Sequence, residues 1–210
     1  MAEQSQSNSG LYKLLNFPFI YNSWQLFVGG EKARATIAKK YINAKAEERV
    51  LDIGCGTGTL FELMGKEIDY VGYDISQEYI DFAKNKYKDT PNARFYFKRV
   101  NEIEMSEKDF DVVIAIGILH HLNDDEALKL IELAFLHLKE GGRFVLAEPA
   151  WIPKQNLFAK FMLKMDRGKA IRDVEGYKKL LQPYFKSFKS TIDGKLFNVP
   201  YTMCMIEAIR

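Results

Sequence analysis

The chain has 210 residues, 47% of them hydrophobic, with 30 Lys and Arg set against 28 Asp and Glu for a formal net charge of +2. That length and composition fit one compact domain with a sizeable core and leave little room for a second. A balance so near neutral excludes a global field drawing the protein to nucleic acid or to an anionic membrane.

The first ten residues are polar and small and are expected to form a disordered tail. They lack the basic start and apolar core of a signal peptide. The longest apolar-plus-glycine run, Val112 to Leu119, is too short to span a bilayer. These features predict a cytoplasmic protein without stable membrane insertion. Two cysteines, Cys55 and Cys204, are too few for a disulfide framework and are expected as reduced thiols, although a single bridge is not excluded. His120, His121 and His137 show no zinc-type spacing with either cysteine, so no metal is expected.

From residue 49 onward, strand-like and helix-like runs alternate, which predicts a parallel sheet covered by helices. Arg49 to Ile53 reads as the first strand and ends in a glycine-rich turn. A helix follows over Thr57 to Met64, closed by Gly65, and then a second strand over Asp69 to Tyr73. Ser76 is placed to cap a helix reaching about Lys88, with Tyr79, Ile80 and Ala83 on one face. Arg94 to Lys98 makes a third strand. Phe110 to Ile116, nearly all apolar, fits a central strand buried on both faces. Asn123 with Glu126 three residues on forms a capping-box signal. The helix it opens carries Ala127, Leu128, Ile131, Ala134, Phe135 and Leu138 as its buried stripe and is expected to end at Gly141 and Gly142. Arg143 to Ala147 is the fifth strand, Asp173 to Leu181 a further helix, and Ser187 to Ile192 and Met203 to Ile209 two final strands.

Residues 11–210 are therefore expected as a single domain with two additions to the sheet: an N-terminal helical cap over 11–45 and a lid insertion over 151–172. The cap is aromatic, with Tyr12, Phe17, Phe19, Tyr21, Trp24 and Phe27. In the lid, Leu157, Phe158, Phe161, Met162 and Met165 share one helical face, with Lys154, Lys160 and Lys164 opposite. A lid packed on the core is favoured over a membrane-surface helix and over a partner-binding face.

The turn Gly54-Cys55-Gly56-Thr57-Gly58 between a strand and a helix is a ligand-binding device. Its first glycine permits a tight turn, its second lets ligand approach the backbone, and the exposed N–H groups attract a carboxylate or phosphate. Thr59 stands where the dinucleotide fingerprint requires a third glycine. No Gly-Lys-Ser/Thr follows, so it is not a phosphate loop. Asp74, 20 residues beyond Gly54, closes the second strand, where a carboxylate can accept from both hydroxyls of a ribose. Together the two features point to a nucleoside ligand that is not a dinucleotide.

Val50-Leu51-Asp52-Ile53-Gly54-Cys55-Gly56-Thr57-Gly58 resembles the first motif of the class I, Rossmann-like S-adenosylmethionine-dependent methyltransferases. Phe110-Asp111-Val112-Val113 with Gly117-Ile118-Leu119-His120-His121-Leu122, and Leu138-Lys139-Glu140-Gly141-Gly142-Arg143, resemble the family's fourth-strand motif and the turn into its fifth strand. Within the family the chain looks like the small-molecule, type 11 bacterial methyltransferases. The resemblance implies an α/β, doubly wound three-layer sandwich with helices on both faces. Its seven-stranded, mostly parallel sheet would have the order 3-2-1-4-5-7-6 with strand 7 antiparallel. It also implies S-adenosylmethionine as cofactor and S-adenosylhomocysteine as product. Backbone at Gly54, Cys55 and Gly56 would hold the methionine part, Asp52 would orient its amino group, Asp74 would bind the ribose and Ile75 would pack on the adenine. Val100 or Asn101 would meet the adenine amino group, where many members carry an acid instead. Ile116 and Gly117 would line the cofactor site at the end of the fourth strand.

The sulfonium is an activated methyl donor, so the protein has mainly to align an oxygen, nitrogen or carbon nucleophile in line with the methyl group and exclude water. His120 and His121 are the candidate general bases, because histidine titrates near neutrality and both follow the fourth strand; in the alternative one of them packs or caps the next helix. His137 reads as structural. Asp166-Arg167-Gly168, Arg172, Glu175-Gly176-Tyr177 and Val199-Pro200-Tyr201-Thr202 resemble a bacterial subgroup of these enzymes; the resemblance implies Arg167, Arg172 and Tyr201 as a substrate-side network, to which Tyr21 is added, with an Asp166–Arg167 ion pair that locks the fold as the competing reading. The expected partner is a small-molecule acceptor, with no nucleic acid; oligomeric state is left open. An RNA methyltransferase is the alternative enzyme. The chain has Gly117-Ile118-Leu119-His120 where amino-methylating nucleic-acid enzymes carry Asn/Asp-Pro-Pro-Tyr/Phe. A non-catalytic S-adenosylmethionine-binding protein is the third reading.

Overall fold

A computed structural model of the chain describes residues 29–99 and 108–210. Tyr21 and the other cap aromatics, Val100 and Asn101 lie outside the described residues. The described chain opens with helix α1 (Gly30–Thr36), which runs on as a π-helical stretch, Ile37–Ile42. Strand β1 (Arg49–Ile53), helix α2 (Thr59–Met64), strand β2 (Asp69–Asp74), helix α3 (Gln77–Lys86), strand β3 (Ala93–Phe97) and strand β4 (Phe110–Ile116) follow. A short 3-10 turn, Leu119–His121, leads into helix α4 (Asp124–His137) and strand β5 (Leu138–Pro149). Helix α5 (Leu157–Lys164), helix α6 (Val174–Leu181), strand β6 (Ser187–Asp193) and strand β7 (Met203–Ile209) complete it.

The seven strands form one sheet in the order β3-β2-β1-β4-β5-β7-β6. The first five strands pair in parallel, and β7 inserts antiparallel between β5 and β6. This is the doubly wound order that the sequence motifs imply.

Alternation along the strands builds two cores. Successive side chains point to opposite faces. Val113 and Ala115 of β4 therefore join Leu51, Phe144, Leu146, Tyr177 and Phe185 beneath α4 and α6. Val112 and Ile114 join Val50, Phe61, Tyr70 and Ile80 beneath α1, α2 and α3. Each fully buried Val, Leu, Ile or Phe among them contributes roughly 1.5–3 kcal/mol of transfer free energy. That explains why β4 reads as an unbroken apolar run. Among the described residues no helix is long and apolar enough to cross a membrane.

Local signals set the helix starts. The Ser76 side chain accepts from Tyr79 N, Asp173 accepts from Gly176 N, and Asn123 with Glu126 forms the full capping box. Each cap is worth about 1 kcal/mol. Three expectations shift. Tyr79 stays exposed, because the inward face of α3 is Ile80 and Ala83. Helix α4 stops at His137 instead of at the glycines, because Gly141 and Gly142 are taken into pairing with Arg210 just beyond β7. The lid helix α5 turns Ala159 and Leu163 inward and leaves Leu157, Phe158 and Phe161 exposed.

Candidate active site

The carboxyl ends of β1, β2, β4 and β5 converge on one edge of the sheet. Gly54 has φ 83, and a Cβ there would overlap Ile118 Cδ1, so the turn after β1 must begin with glycine. The N–H groups of Gly54 and Cys55 both reach the Tyr73 carbonyl, at 2.7 and 3.0 Å, and stitch this turn to β2. Gly56 has φ 54, and a Cβ built there would meet nothing within 4 Å. Its N–H donates to Asp74 Oδ2 at 2.8 Å, while Ser76 N–H donates to Oδ1 at 2.8 Å.

Asp74 is half-buried, and its two backbone donors leave further lone pairs for ligand hydroxyls. Beside it Ile75 is 71% exposed, an apolar platform just past the end of β2. Open space over Gly56, a carboxylate held in place and an exposed aliphatic side chain fit the ribose and base of a nucleoside cofactor. Ile116 and Gly117 are half-buried at the end of β4, and Gly117 N–H donates to the Ala147 carbonyl at 2.8 Å.

Asp52 lies beneath the turn, 1% exposed, accepting from the Tyr70 hydroxyl at 2.6 Å. Burial raises its carboxyl to about 7, against the opposing hydrogen bond from Tyr70 and with a smaller push from Asp74. A cationic amino group next to it would restore the charged form.

The turn after β4 is organised from β5. Glu148, 1% exposed, accepts through Oε1 from Ile118 N (2.8 Å) and Leu119 N (2.9 Å), and through Oε2 from His120 N (3.3 Å). His120 Nδ1 lies 2.7 Å from the same Oε2, and its Nε2 lies 3.3 Å from Asp166 Oδ1. Asp166 also accepts from Gly168 N and, at 2.7 Å, from the Tyr201 hydroxyl. Burial disfavours a charged His120 ring, but the hydrogen bonds to Asp166 and Glu148 outweigh it and raise its pKa to about 9.

A raised pKa favours the doubly protonated His120 ring at neutral pH, which speaks against its expected role as a base. His121 is the reverse case. Burial and the adjacent His120 charge, with ring centroids 3.9 Å apart, lower it to about 4. It is the neutral imidazole of the pair. Donor atoms of His120, His121 and Asp166 lie within 4.8 Å of one another.

Arg172 spends its guanidinium on the protein. Nε and Nη2 donate to Asp124 at 3.0 and 2.6 Å, Nη1 to the carbonyls of Leu119 and Ala170, and Nη2 also to that of Leu122. Its five N–H bonds are thus engaged in tying the segment after α5 to the start of α4, which sets a structural role beside the expected substrate contact. Tyr201 reaches Asp166, so the expected substrate-side residue becomes the link between the β6–β7 connection and the histidine pair. Arg167 is half-buried next to Asp166. Asp166 itself turns to His120. Cys55 and Cys204 are free, buried thiols, and His137 is fully buried with Nδ1 2.8 Å from the Leu133 carbonyl.

The sequence reading passed over Glu148 and Tyr70. The signal for Glu148 was an acid following Val145-Leu146-Ala147 in a strand apolar on both faces, where a carboxylate persists only if partnered. The signal for Tyr70 was its pairing register beside the β1 strand that carries Asp52.

Sheet order, glycine turn and Asp74 together give the chain the Rossmann-like fold found in class I S-adenosylmethionine-dependent methyltransferases. Residues 50–142 match the family model described as a methyltransferase domain. The chain is 30% identical over 147 residues to demethylmenaquinone methyltransferase of Chlorobaculum parvum, covering 69% of this chain and 56% of that protein. It is 26% identical over 151 residues to the uncharacterized methyltransferase YcgJ of Bacillus subtilis, covering 70% and 58%. The chain thus spans less than two thirds of either relative's own length. A structure described as a SAM-dependent methyltransferase from Archaeoglobus fulgidus superposes with a TM-score of 0.69 at 20% identity, covering 90% of this chain and 99% of that one, and shares the fold.

Proposed function

We propose that the protein transfers a methyl group from S-adenosylmethionine to a small-molecule acceptor by in-line displacement on an oxygen, nitrogen or carbon nucleophile. The observation that supports this most directly is the open space over Gly56 beside Asp74. S-adenosylmethionine, when bound, supplies an activated methyl group on a sulfonium. The backbone of Gly54, Cys55 and Gly56 would hold its methionine part over Asp52, Asp74 the ribose and Ile75 the adenine. Asp52 pairs with a cationic amino group in its charged form. His120, protonated and clamped, positions the turn after β4. His121, neutral across the physiological range, orients the acceptor through a hydrogen bond. With a pKa near 4 it is a weak proton acceptor, so a nucleophile that arrives largely deprotonated or uncharged suits this site best. Tyr201 and the lid exclude water.

The relatives favour a small molecule over RNA, since demethylmenaquinone methyltransferase carries such a substrate in its name. The test is calorimetry with S-adenosylmethionine followed by a screen of acceptors for S-adenosylhomocysteine release. Micromolar binding with acceptor-dependent release is expected. Absence of binding would overturn the reading, and release only with RNA would replace the acceptor class.

A further inference from the structure

The lid helix α5 is amphipathic the wrong way round for a part of the core. It rests on the protein through Ala159 and Leu163, both nearly fully buried. Leu157, Phe158 and Phe161 are 81%, 48% and 56% exposed. At ~100° per residue these three fall within a single arc of about 100°. The Phe158 and Phe161 rings sit 6.4 Å apart, so the apolar surface is continuous. Soluble surfaces rarely leave such a patch without a use.

Charge says what covers it. Between Glu148 and Asp166 the chain has no acidic residue. Lys160 and Lys164 border the apolar arc on one side, and Lys154 lies in the turn before the helix; all three are exposed. An apolar strip edged by lysines alone is complementary to a surface that is apolar inside and anionic at its rim. A second protein with an apolar groove would not call for the lysines on that border.

We propose that the exposed face of α5 docks on a bilayer containing anionic phospholipid, with Leu157, Phe158 and Phe161 entering the headgroup boundary and Lys154, Lys160 and Lys164 meeting phosphates. The contact is peripheral and reversible. It stands independently of the methyl-transfer reading, because it is measured without turnover.

The test is co-sedimentation of the full chain with vesicles of phosphatidylglycerol and phosphatidylcholine, and with phosphatidylcholine alone. Binding to the anionic vesicles, weakened at high salt, is expected. The Leu157→Glu/Phe161→Glu variant should lose it while keeping its affinity for S-adenosylmethionine, and each Lys→Gln at 154, 160 or 164 should weaken it about fivefold. In parallel, a polarity-sensitive dye on Phe161→Cys should shift to the blue when vesicles are added; the two native thiols are buried and stay unlabelled. No sedimentation, equal binding to neutral vesicles, or retained binding by the double glutamate variant would overturn the proposal. A dye already blue-shifted before lipid is added would overturn it too, showing that another part of the chain or a second copy covers this face.

Discussion

The Nδ1 of His120 sits 2.7 Å from Oε2 of Glu148, and the same carboxylate holds the backbone N–H groups of residues 118, 119 and 120. One β5 side chain therefore fixes both the path of the β4 turn and the ionisation of its first histidine. Ile118, carried by that turn, is the side chain that a Cβ on Gly54 would strike. The glycine turn and the turn that carries the histidine pair thus pack against each other.

Replacement of Glu148 by glutamine turns an amide donor toward groups that themselves donate. Breaking a buried ionic partner costs on the order of 3 kcal/mol. Glu148→Gln is expected to lower Tm by several degrees in calorimetric unfolding and to weaken S-adenosylmethionine binding. A variant with unchanged Tm would show that the turn is held by other contacts.

The His120 clamp sets a pH window. Its folded pKa of about 9 lies above the ordinary histidine value of 6.5, so the stabilisation is complete below about pH 6.5 and is lost as pH rises through 9. Asp166, lowered to about 2 by its hydrogen bond to His120 against the opposing effect of burial, describes the same pair from the acid side. That contribution is present above about pH 4 and is lost as pH falls through 2. Unfolding free energy measured from pH 6 to 10 should decline over this range in the wild type. The decline should be flatter in Asp166→Asn, and equal slopes would remove the ion pair as its cause.

Much of this was legible from the chain itself. Strand–helix alternation predicted a parallel sheet covered by helices, the family resemblance supplied its order, and Ser76 and Asn123 announced their helices, because caps act within three or four residues. The clamp was not legible. Glu148 lies 28 residues from His120, and Asp166 arrives from beyond the lid, so only the folded sheet brings them to one imidazole. The orientation of α5 was hidden for another reason: periodicity shows that a helix has two faces and does not say which one meets the protein. Here Ala159 and Leu163 form the contact and the aromatic face is left outside.

Gly56 separates ligand space from folding. A methyl group there meets no protein atom within 4 Å, and the positive φ costs about 1 kcal/mol for a non-glycine residue. Gly56→Ala should thus leave Tm within a few degrees and reduce S-adenosylmethionine affinity tenfold or more by calorimetry. Unchanged affinity would place the cofactor elsewhere.

Arg172→Met tests whether that guanidinium serves the fold. Removing it leaves the carbonyls of Leu119 and Leu122 and the carboxylate of Asp124 without their donor. The expected result is a loss of roughly 2–3 kcal/mol of stability, with the KM for any identified acceptor unchanged at a temperature where the variant is folded. A raised KM in a variant of normal Tm would return Arg172 to the substrate side.

Asp52 gives the cofactor its own pH dependence. Burial raises the carboxyl to about 7, so half of the free protein has it neutral at that pH. A cationic amino group pairs with the ionised form only, so S-adenosylmethionine affinity should tighten as pH rises from 6 to 8 and level off above. Asp52→Asn keeps an acceptor for the Tyr70 hydroxyl and removes the titration, so its affinity should be lower and flat over the same range. The same substitution should relieve the cost of a buried charge and raise stability at pH 8 relative to the wild type, because an acid whose folded pKa is raised destabilises the fold as pH passes from about 4 to 7. A wild-type affinity flat from pH 6 to 8 would detach Asp52 from the amino group and leave it a purely structural partner of Tyr70.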